Sequence, residues 1–387
     1  MSVQPRPGLL AVLREWGRIG CIGFGGPPTH IALLRELCVE RKQWLSAQEF
    51  EDAVAACNLL PGPASTQLAI FCAWRVRGRS ASLVGGVAFI VPGLVLILAL
   101  AALFLAGSPP RWVRGAGAGA GAAVAAVAVQ AGSRLASASW RRVQRASRSR
   151  WLLYLAAGGV ATATVGPLLV LVLLGCGALE LVTRRVRRAG TNAAGTAPIP
   201  LLAAGTIGGG ALLPLAWVAF KVGALSYGGG FVIVPLMQAD AVNHYHWMNG
   251  GQFLNAVALG QITPGPVVQT VAAVGYAAAG LGGGLLAAVF AFAPSFAFIL
   301  LGGHRFDRLR SDRRARAFLD GAGPAAVGAI LGSAIPLARA LAEPWQYAVL
   351  AAAAALLLLL RRGVVLTLLS AGAVGALMAV GEGPLPH

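Results

Sequence analysis

The stretch Asn58-Leu59-Leu60-Pro61-Gly62-Pro63-Ala64-Ser65-Thr66-Gln67 lies within an apolar run, and Gln261-Ile262-Thr263-Pro264-Gly265-Pro266-Val267-Val268-Gln269-Thr270 lies within another. Two prolines around a glycine remove backbone donors, so a helix must break or bend there. The freed carbonyl and N–H groups then need partners. One reading is a packing kink with local repair. The other is a discontinuous helix whose new N-terminus faces a bound anion. Duplication of the motif favours the second reading. Ser65, Thr66, Gln67, Thr263, Gln269 and Thr270 can donate hydrogen bonds beside the breaks.

The two stretches stand 203 residues apart, and the same ungapped offset aligns much more. Arg18 falls on Lys221, Gly20 on Gly223, and Phe24-Gly25-Gly26 on Tyr227-Gly228-Gly229. Trp44 falls on Trp247, Phe50 on Phe253, Asn58 on Gln261 and Phe89 on Phe292. The chain therefore reads as two homologous halves, 1–190 and 191–387. Each half repeats one order of apolar segments: about 8–34, 51–74, 81–106 and 112–133, then 211–237, 254–278, 283–303 and 317–338. Two more follow in each half, at 151–164 and 167–183, and at 345–360 and 363–380. An extra apolar stretch at 198–213 adds to the second half.

Composition says what surrounds these segments. Of 387 residues, 57% are hydrophobic and 11% charged, against about 25% charged in a soluble domain. Mean hydropathy is +0.73. So few charges cannot cover a soluble surface, and the chain is an integral membrane protein. Its 52 glycines and many alanines suit close helix packing. Runs near 20 residues exclude an outer-membrane barrel, whose strands alternate over about 10 residues. The first apolar stretch already contains Arg14, Glu15 and Arg18, unlike a separate signal peptide. Five cysteines form no CxxC pair and read as small membrane residues, so no metal or other cofactor is expected.

The net charge of +18 is almost all arginine, with Lys42 and Lys221 the only lysines. Nucleic acid is a poor partner because the clusters sit in short loops between segments. Arg75, Arg77 and Arg79 have no counterparts in the second half. Arg305, Arg308, Arg310, Arg313, Arg314 and Arg316 face only Arg111 and Arg114 in the first. The bias reverses again between the next segments, where Arg134, Arg141, Arg142, Arg145, Arg148 and Arg150 face Arg339 alone. Cytoplasmic loops carry the arginine, so equivalent loops lie on opposite sides of the membrane. The expectation is an all-α polytopic membrane protein of about 10–12 transmembrane segments. Its halves have inverted topology and broken or re-entrant helices, the plan of many secondary transporters.

Within the membrane, Gly23-Phe24-Gly25-Gly26-Pro27-Pro28 and Tyr227-Gly228-Gly229-Gly230 interrupt the first segment of each half. Paired with the proline breaks, they suggest unwound helices whose backbone donors form an anion nest. Arg18 and Lys221 are candidates to offset the charge of a dianion, with snorkelling to the interface as the alternative. Arg35, Arg41 and Lys42 interleave with Glu36 and Glu40, which favours a solvated ion-pair face over an anion funnel. His30 can bind an oxyanion or take a proton. Asp240, His244 and His246 are spaced like a loose metal cluster but read better as a structural loop. Asp240 is nevertheless a proton-coupling candidate, because acids near membrane cores are rare here. Trp44 and Trp247 read as interface anchors. No nucleophile–base arrangement points to an enzyme.

With these residues in place, the chain resembles the chromate ion transporter family in its long two-domain form. Gly23-Phe24-Gly25-Gly26-Pro27 with His30, and Asn58-Leu59-Leu60-Pro61-Gly62-Pro63 with Ser65-Thr66, carry the resemblance in the first half. In the second, Tyr227-Gly228-Gly229-Gly230 with Pro235, Gly260-Gln261-Ile262-Thr263-Pro264-Gly265-Pro266 with Gly275-Tyr276, and Pro294-Ser295-Phe296 carry it. The resemblance implies export of chromate, a sulfate-like tetrahedral oxyanion, from the bacterial cytoplasm across the inner membrane. It implies a drive from membrane potential or protons rather than ATP. The candidate binding set is Arg18, Gly25, Gly26, His30, Asn58, Pro61–Pro63, Ser65–Gln67, Lys221, Gly228–Gly230, Gln261, Thr263–Pro266 and Gln269. Gln67 departs from the glutamate frequent in relatives, which leaves coupling to Asp240, His30 or another group. Sulfate or another oxyanion is the alternative substrate, a channel the alternative mechanism, and a homodimer an open assembly.

Overall fold

A computed structural model describes residues 7–58, 60, 62–105, 109–143, 145–164, 169–188, 212–226, 231, 233–302 and 312–386. The first half begins with α1 (Leu9–Ile22), a glycine break, and α2 (Pro27–Arg35), which continues as a π-helical turn over Glu36–Arg41. Then come α3 (Ala47–Cys57), the first proline break, α4 (Ala64–Arg77) and α5 (Arg79–Phe104). α6 (Arg111–Ala122) and α7 (Val124–Trp140) form one long rod, followed by α8 (Arg148–Thr164) and α9 (Leu169–Arg188).

The second half repeats this order. α10 (Leu212–Leu225) precedes α11 (Ile233–Gln238), which continues as a π-helical turn over Ala239–His244. α12 (Gly250–Ile262) leads to the second proline break. α13 (Thr270–Gly302) is kinked at Ala279–Gly280. α14 (Arg313–Arg339), α15 (Pro344–Ala354) and α16 (Val364–Val380) complete it. Local detail recurs at the same offset. Ser46 with Glu49 and Asn249 with Gln252 form equivalent capping boxes. Gln43 (φ 50°) and His246 (φ 52°) take equivalent left-handed conformations. The expected boundary at 190/191 and the apolar stretch 198–211 lie outside the described residues.

Among the described residues, four stretches are long and apolar enough to cross a membrane: Arg79–Phe104, Arg111–Trp140, Val267–Gly302 and Arg313–Arg339, two from each half. Shorter apolar helices, Pro344–Leu359 and Val364–Val380, follow in the second half, and the glycine and proline breaks divide segments one and two of each half. Their pieces, such as α1 and α4 at 14 residues, reach only about 21 Å. The pieces fold back as re-entrant hairpins. Arg77 at the end of α4 donates to the Pro7 carbonyl ahead of α1, at 2.7 Å. Arg75 pairs with Glu49 at the start of α3, and Glu15 in α1 pairs with Arg41 at 3.1 Å and Lys42 at 3.4 Å. The start of α1, the end of the π turn, the start of α3 and the end of α4 thus share one face.

That face also holds the α8–α9 hairpin, where buried Glu180 accepts from Arg184 at 2.8 Å and from Tyr154 Oη at 3.1 Å. Arg150 pairs with the same carboxylate at 3.1 Å, and Arg184 reaches Asp320 of α14 at 2.7 Å. The opposite face holds the ends of the second half. Arg111 donates to the carbonyls of Ala379 and Gly383, each at 3.0 Å, and Trp345 donates to Pro384 at 2.9 Å. Hence the hairpins of the two halves enter from opposite sides, as an inverted repeat requires. The face bearing Arg75, Arg77, Arg141–Arg150 and Arg184 is arginine-rich, and the positive-inside rule makes it cytoplasmic.

The halves are interlocked rather than side by side. α14 packs along α8 and α9 of the first half, while α6 packs along α16 of the second. Small residues permit the approach. A Cβ on Gly158 would lie 1.8 Å from the Ala325 carbonyl oxygen, and one on Gly375 would lie 2.1 Å from that of Gly115.

Candidate functional site

The hairpin tips converge at the centre of the molecule. Gly265 in the second proline break donates its N–H to the Gly23 carbonyl in the first glycine break, at 3.0 Å. The first proline break leans on the other half too: a Cβ on Gly62 would lie 3.4 Å from Ser295 Oγ of α13. In reciprocal fashion, the second break presses on α5, where a Cβ on Gly93 would lie 2.0 Å from the Pro264 carbonyl oxygen. Gln269 Nε2 donates to the Ile90 carbonyl at 3.4 Å. Gly62 (φ 120°) and Gly265 (φ 94°) occupy equivalent positions with backbone that L side chains rarely adopt. Glycine between the prolines is therefore what lets each tip turn.

His30 ties two tips of the first half together. Its Nε2 lies 2.9 Å from the Gly23 carbonyl and its Nδ1 lies 3.3 Å from Ser65 Oγ. A carbonyl only accepts, so Nε2 carries the proton and neutral Nδ1 accepts from the Ser65 hydroxyl. Adding a proton to Nδ1 reverses that second bond and frees the Ser65 O–H to donate elsewhere. The ring is fully buried and edge-on to Phe89, with centroids 5.0 Å apart.

Around these tips lie buried polar atoms without hydrogen-bond partners among the described residues. They include Thr66 Oγ1, Ser226 Oγ, Gln261 Nε2, Gln269 Oε1 and Ser295 Oγ. Buried polar atoms are nearly always satisfied, so a cluster of orphans marks a place for a polar ligand. The first turn of α4 has no side-chain cap on Pro63, which leaves its leading N–H groups for another acceptor. Thr263 is already used, donating to the Leu259 carbonyl at 2.9 Å.

The structure brings together most of the expected set: Gly26, His30, Gly62, Pro63, Ser65, Thr66, Gln67, Gln261, Thr263, Pro264, Gly265, Pro266 and Gln269 are buried or half-buried about the tips. Gly25 and Asn58 are exposed. Pro61, Tyr227, Gly228, Gly229 and Gly230 lie outside the described residues, as do Arg305, Arg308 and Arg310. Arg18 is exposed on α1. Lys221 is paired with Asp240, their side chains 13% and 6% exposed, so each has a protein partner. Among the described residues no group of three metal-ligating side chains comes together, and Asp240 engages Lys221 rather than His244 or His246.

Sequence reasoning did not select Ser226, Ser295 or Glu180 as site or network residues. Ser226 falls on Gly23 at the common offset, where a side chain replaces a glycine. Ser295 follows Pro294 in an otherwise apolar helix, and Glu180 is a lone carboxylate in an apolar run; each was a visible signal.

Inverted re-entrant hairpins meeting at polar tips define a polytopic membrane transporter. The chromate transporter family description matches residues 10–181 and again 213–376, and the chain belongs to that family. It is a transporter, not an enzyme. It is 33% identical over 329 residues to the chromate transport protein of Cupriavidus metallidurans, covering 83% of this chain and 80% of that one. It is 29% identical over 359 residues to the chromate transport protein of Pseudomonas aeruginosa, covering 88% and 84%. It is also 29% identical over 350 residues to a probable chromate transport protein of Synechococcus elongatus, covering 88% and 87%. No solved structure matches.

Proposed function

We propose that this chain exports chromate from the bacterial cytoplasm across the inner membrane by alternating access, as two repeats divided at 190/191. Secondary transport of an oxyanion across a membrane is the activity of its family. The observation that carries the reading is the cluster of orphaned Thr66, Ser226, Gln261, Gln269 and Ser295 atoms where tips from opposite faces meet. A tetrahedral dianion asks for donors from several directions, which uncapped helix ends and hydroxyls supply. Backbone N–H groups of Gly62, Gly25 and Gly26 add to the donor set, since the flanking prolines have none and Gly265 already donates to Gly23. Arg18 and Lys221 supply positive charge. Lys221 becomes available when Asp240 is protonated, and a proton on His30 frees the Ser65 hydroxyl; both steps couple protons to the anion.

Chromate and sulfate share shape and charge, so the same site accommodates sulfate. Accumulation of labelled chromate by everted vesicles tests the reading, with sulfate added as competitor. Saturable, gradient-dependent uptake is the expected result, and non-saturable flux points to a channel. Replacing Thr66 and Ser295 together by alanine should abolish that uptake without loss of protein. Undiminished uptake would overturn the site.

A further inference from the structure

Positive charge in the first half is concentrated where the second half has one lysine, Lys221, already paired with Asp240. A groove of about 870 Å³ opens beside α1, and Arg14, Glu15, Arg18, Arg41 and Lys42 line it. Its one carboxylate is used twice, by Arg41 at 3.1 Å and by Lys42 at 3.4 Å. Arg14 and Arg18 are exposed and have no carboxylate partner among the described residues. Four residues apart, they share one face of α1. Arg18 lies about 6 Å deeper than Arg14, and the Gly23 tip about 7 Å deeper again. The cations therefore form a ladder from the arginine-rich face toward the meeting point of the tips.

The equivalent positions of the second half are Trp217, Val218, Lys221, His244 and Tyr245. Lys221 there is neutralised by Asp240. The mouth on the opposite face thus lacks a comparable field, although the backbone repeats.

We infer that this groove is a capture site for a divalent oxyanion at the cytoplasmic mouth, and that it makes the symmetric scaffold directional. The inference rests on the transport reading and adds the side from which the anion is recruited. A walled cluster of like charge raises the local anion concentration and its association rate by 10- to 1,000-fold at low ionic strength. Raising salt to 0.15 M shortens the screening length to about 8 Å and removes most of that gain. Phosphate headgroups of anionic lipids share this chemistry, so the experiment separates the two.

The test is R14Q/K42Q, which spares Arg18 and leaves Arg41 to satisfy Glu15. Chromate is the probe, in everted and in right-side-out vesicles. The expected result is a KM raised about three- to tenfold on the cytoplasmic side at low salt, with kcat unchanged. The difference fades at high salt, and KM on the other side stays as in the unmodified protein. A KM unmoved by R14Q/K42Q, or moved equally from both sides, overturns the capture site while leaving transport intact. Unmodified vesicles that move neither chromate nor sulfate overturn the transport reading itself. In phosphatidylcholine liposomes, the same loss supports capture of the free anion. A loss seen only when phosphatidylglycerol is present assigns the cations to a lipid phosphate and overturns it.

Discussion

Lys221 and Asp240 offer the sharpest energetic test. The pair joins α10 to the π-helical turn after α11, with side chains only 13% and 6% exposed. Removing one partner strands the other charge in a medium that solvates it poorly, which costs about 3–5 kcal/mol. Replacing both by apolar residues removes the desolvation penalty with the attraction and is nearly neutral or stabilising. K221M and D240N are therefore each expected to lose about 3–5 kcal/mol, while K221M/D240L stays close to the unmodified protein. At roughly 2 °C per kcal/mol for a large chain, each single variant melts about 6–10 °C lower. Thermal melting of detergent-solubilised protein, read by the monodisperse fraction left after heating, measures it. The pH dependence carries a sign. A stranded carboxylate is relieved by protonation and a stranded ammonium by deprotonation. The K221M deficit should shrink as pH falls and the D240N deficit as pH rises. Single variants as stable as the unmodified protein, or a double variant showing the sum of both losses, would refute the buried pair.

Other expectations follow from close contacts. G93A places a methyl 2.0 Å from the Pro264 carbonyl oxygen, so the second tip must shift; a loss of about 1–3 kcal/mol and of chromate flux is expected. G282A, which meets nothing within 4 Å, is the control that should transport normally. E180Q leaves Arg150 facing a neutral amide while Arg184 keeps Asp320, and a stability loss of about 1–3 kcal/mol should appear in the same melting assay. S65A removes the hydroxyl that His30 Nδ1 engages; the pH dependence of flux should weaken to the part that passes through Asp240, while His30 stays held by Gly23.

Much of the architecture was legible because the repeat is local. Capping boxes at Ser46 and Asn249, left-handed residues at Gln43 and His246, and glycines inside both proline breaks are each set by a few neighbouring residues. A one-dimensional offset therefore finds them. Arginine bias is also readable in one dimension, and it correctly implied that the halves are inverted. The number of full crossings was not legible, since a broken apolar segment looks the same whether it continues across or turns back. The contacts of Arg77 with Pro7 and of Glu15 with Arg41 decide that it turns back.

By itself, the sequence determined a duplicated, inverted membrane protein with a helix break at the heart of each half, because hydropathy, glycine and proline act over short distances. Only the tertiary structure decided which polar groups are spent and which remain. Lys221 is met by Asp240, 19 positions away, whereas Ser295 faces the first proline break from the other half and finds no partner among the described residues. Whether a buried polar atom is satisfied depends on what distant segments bring to it, and that is a property of the packed chain.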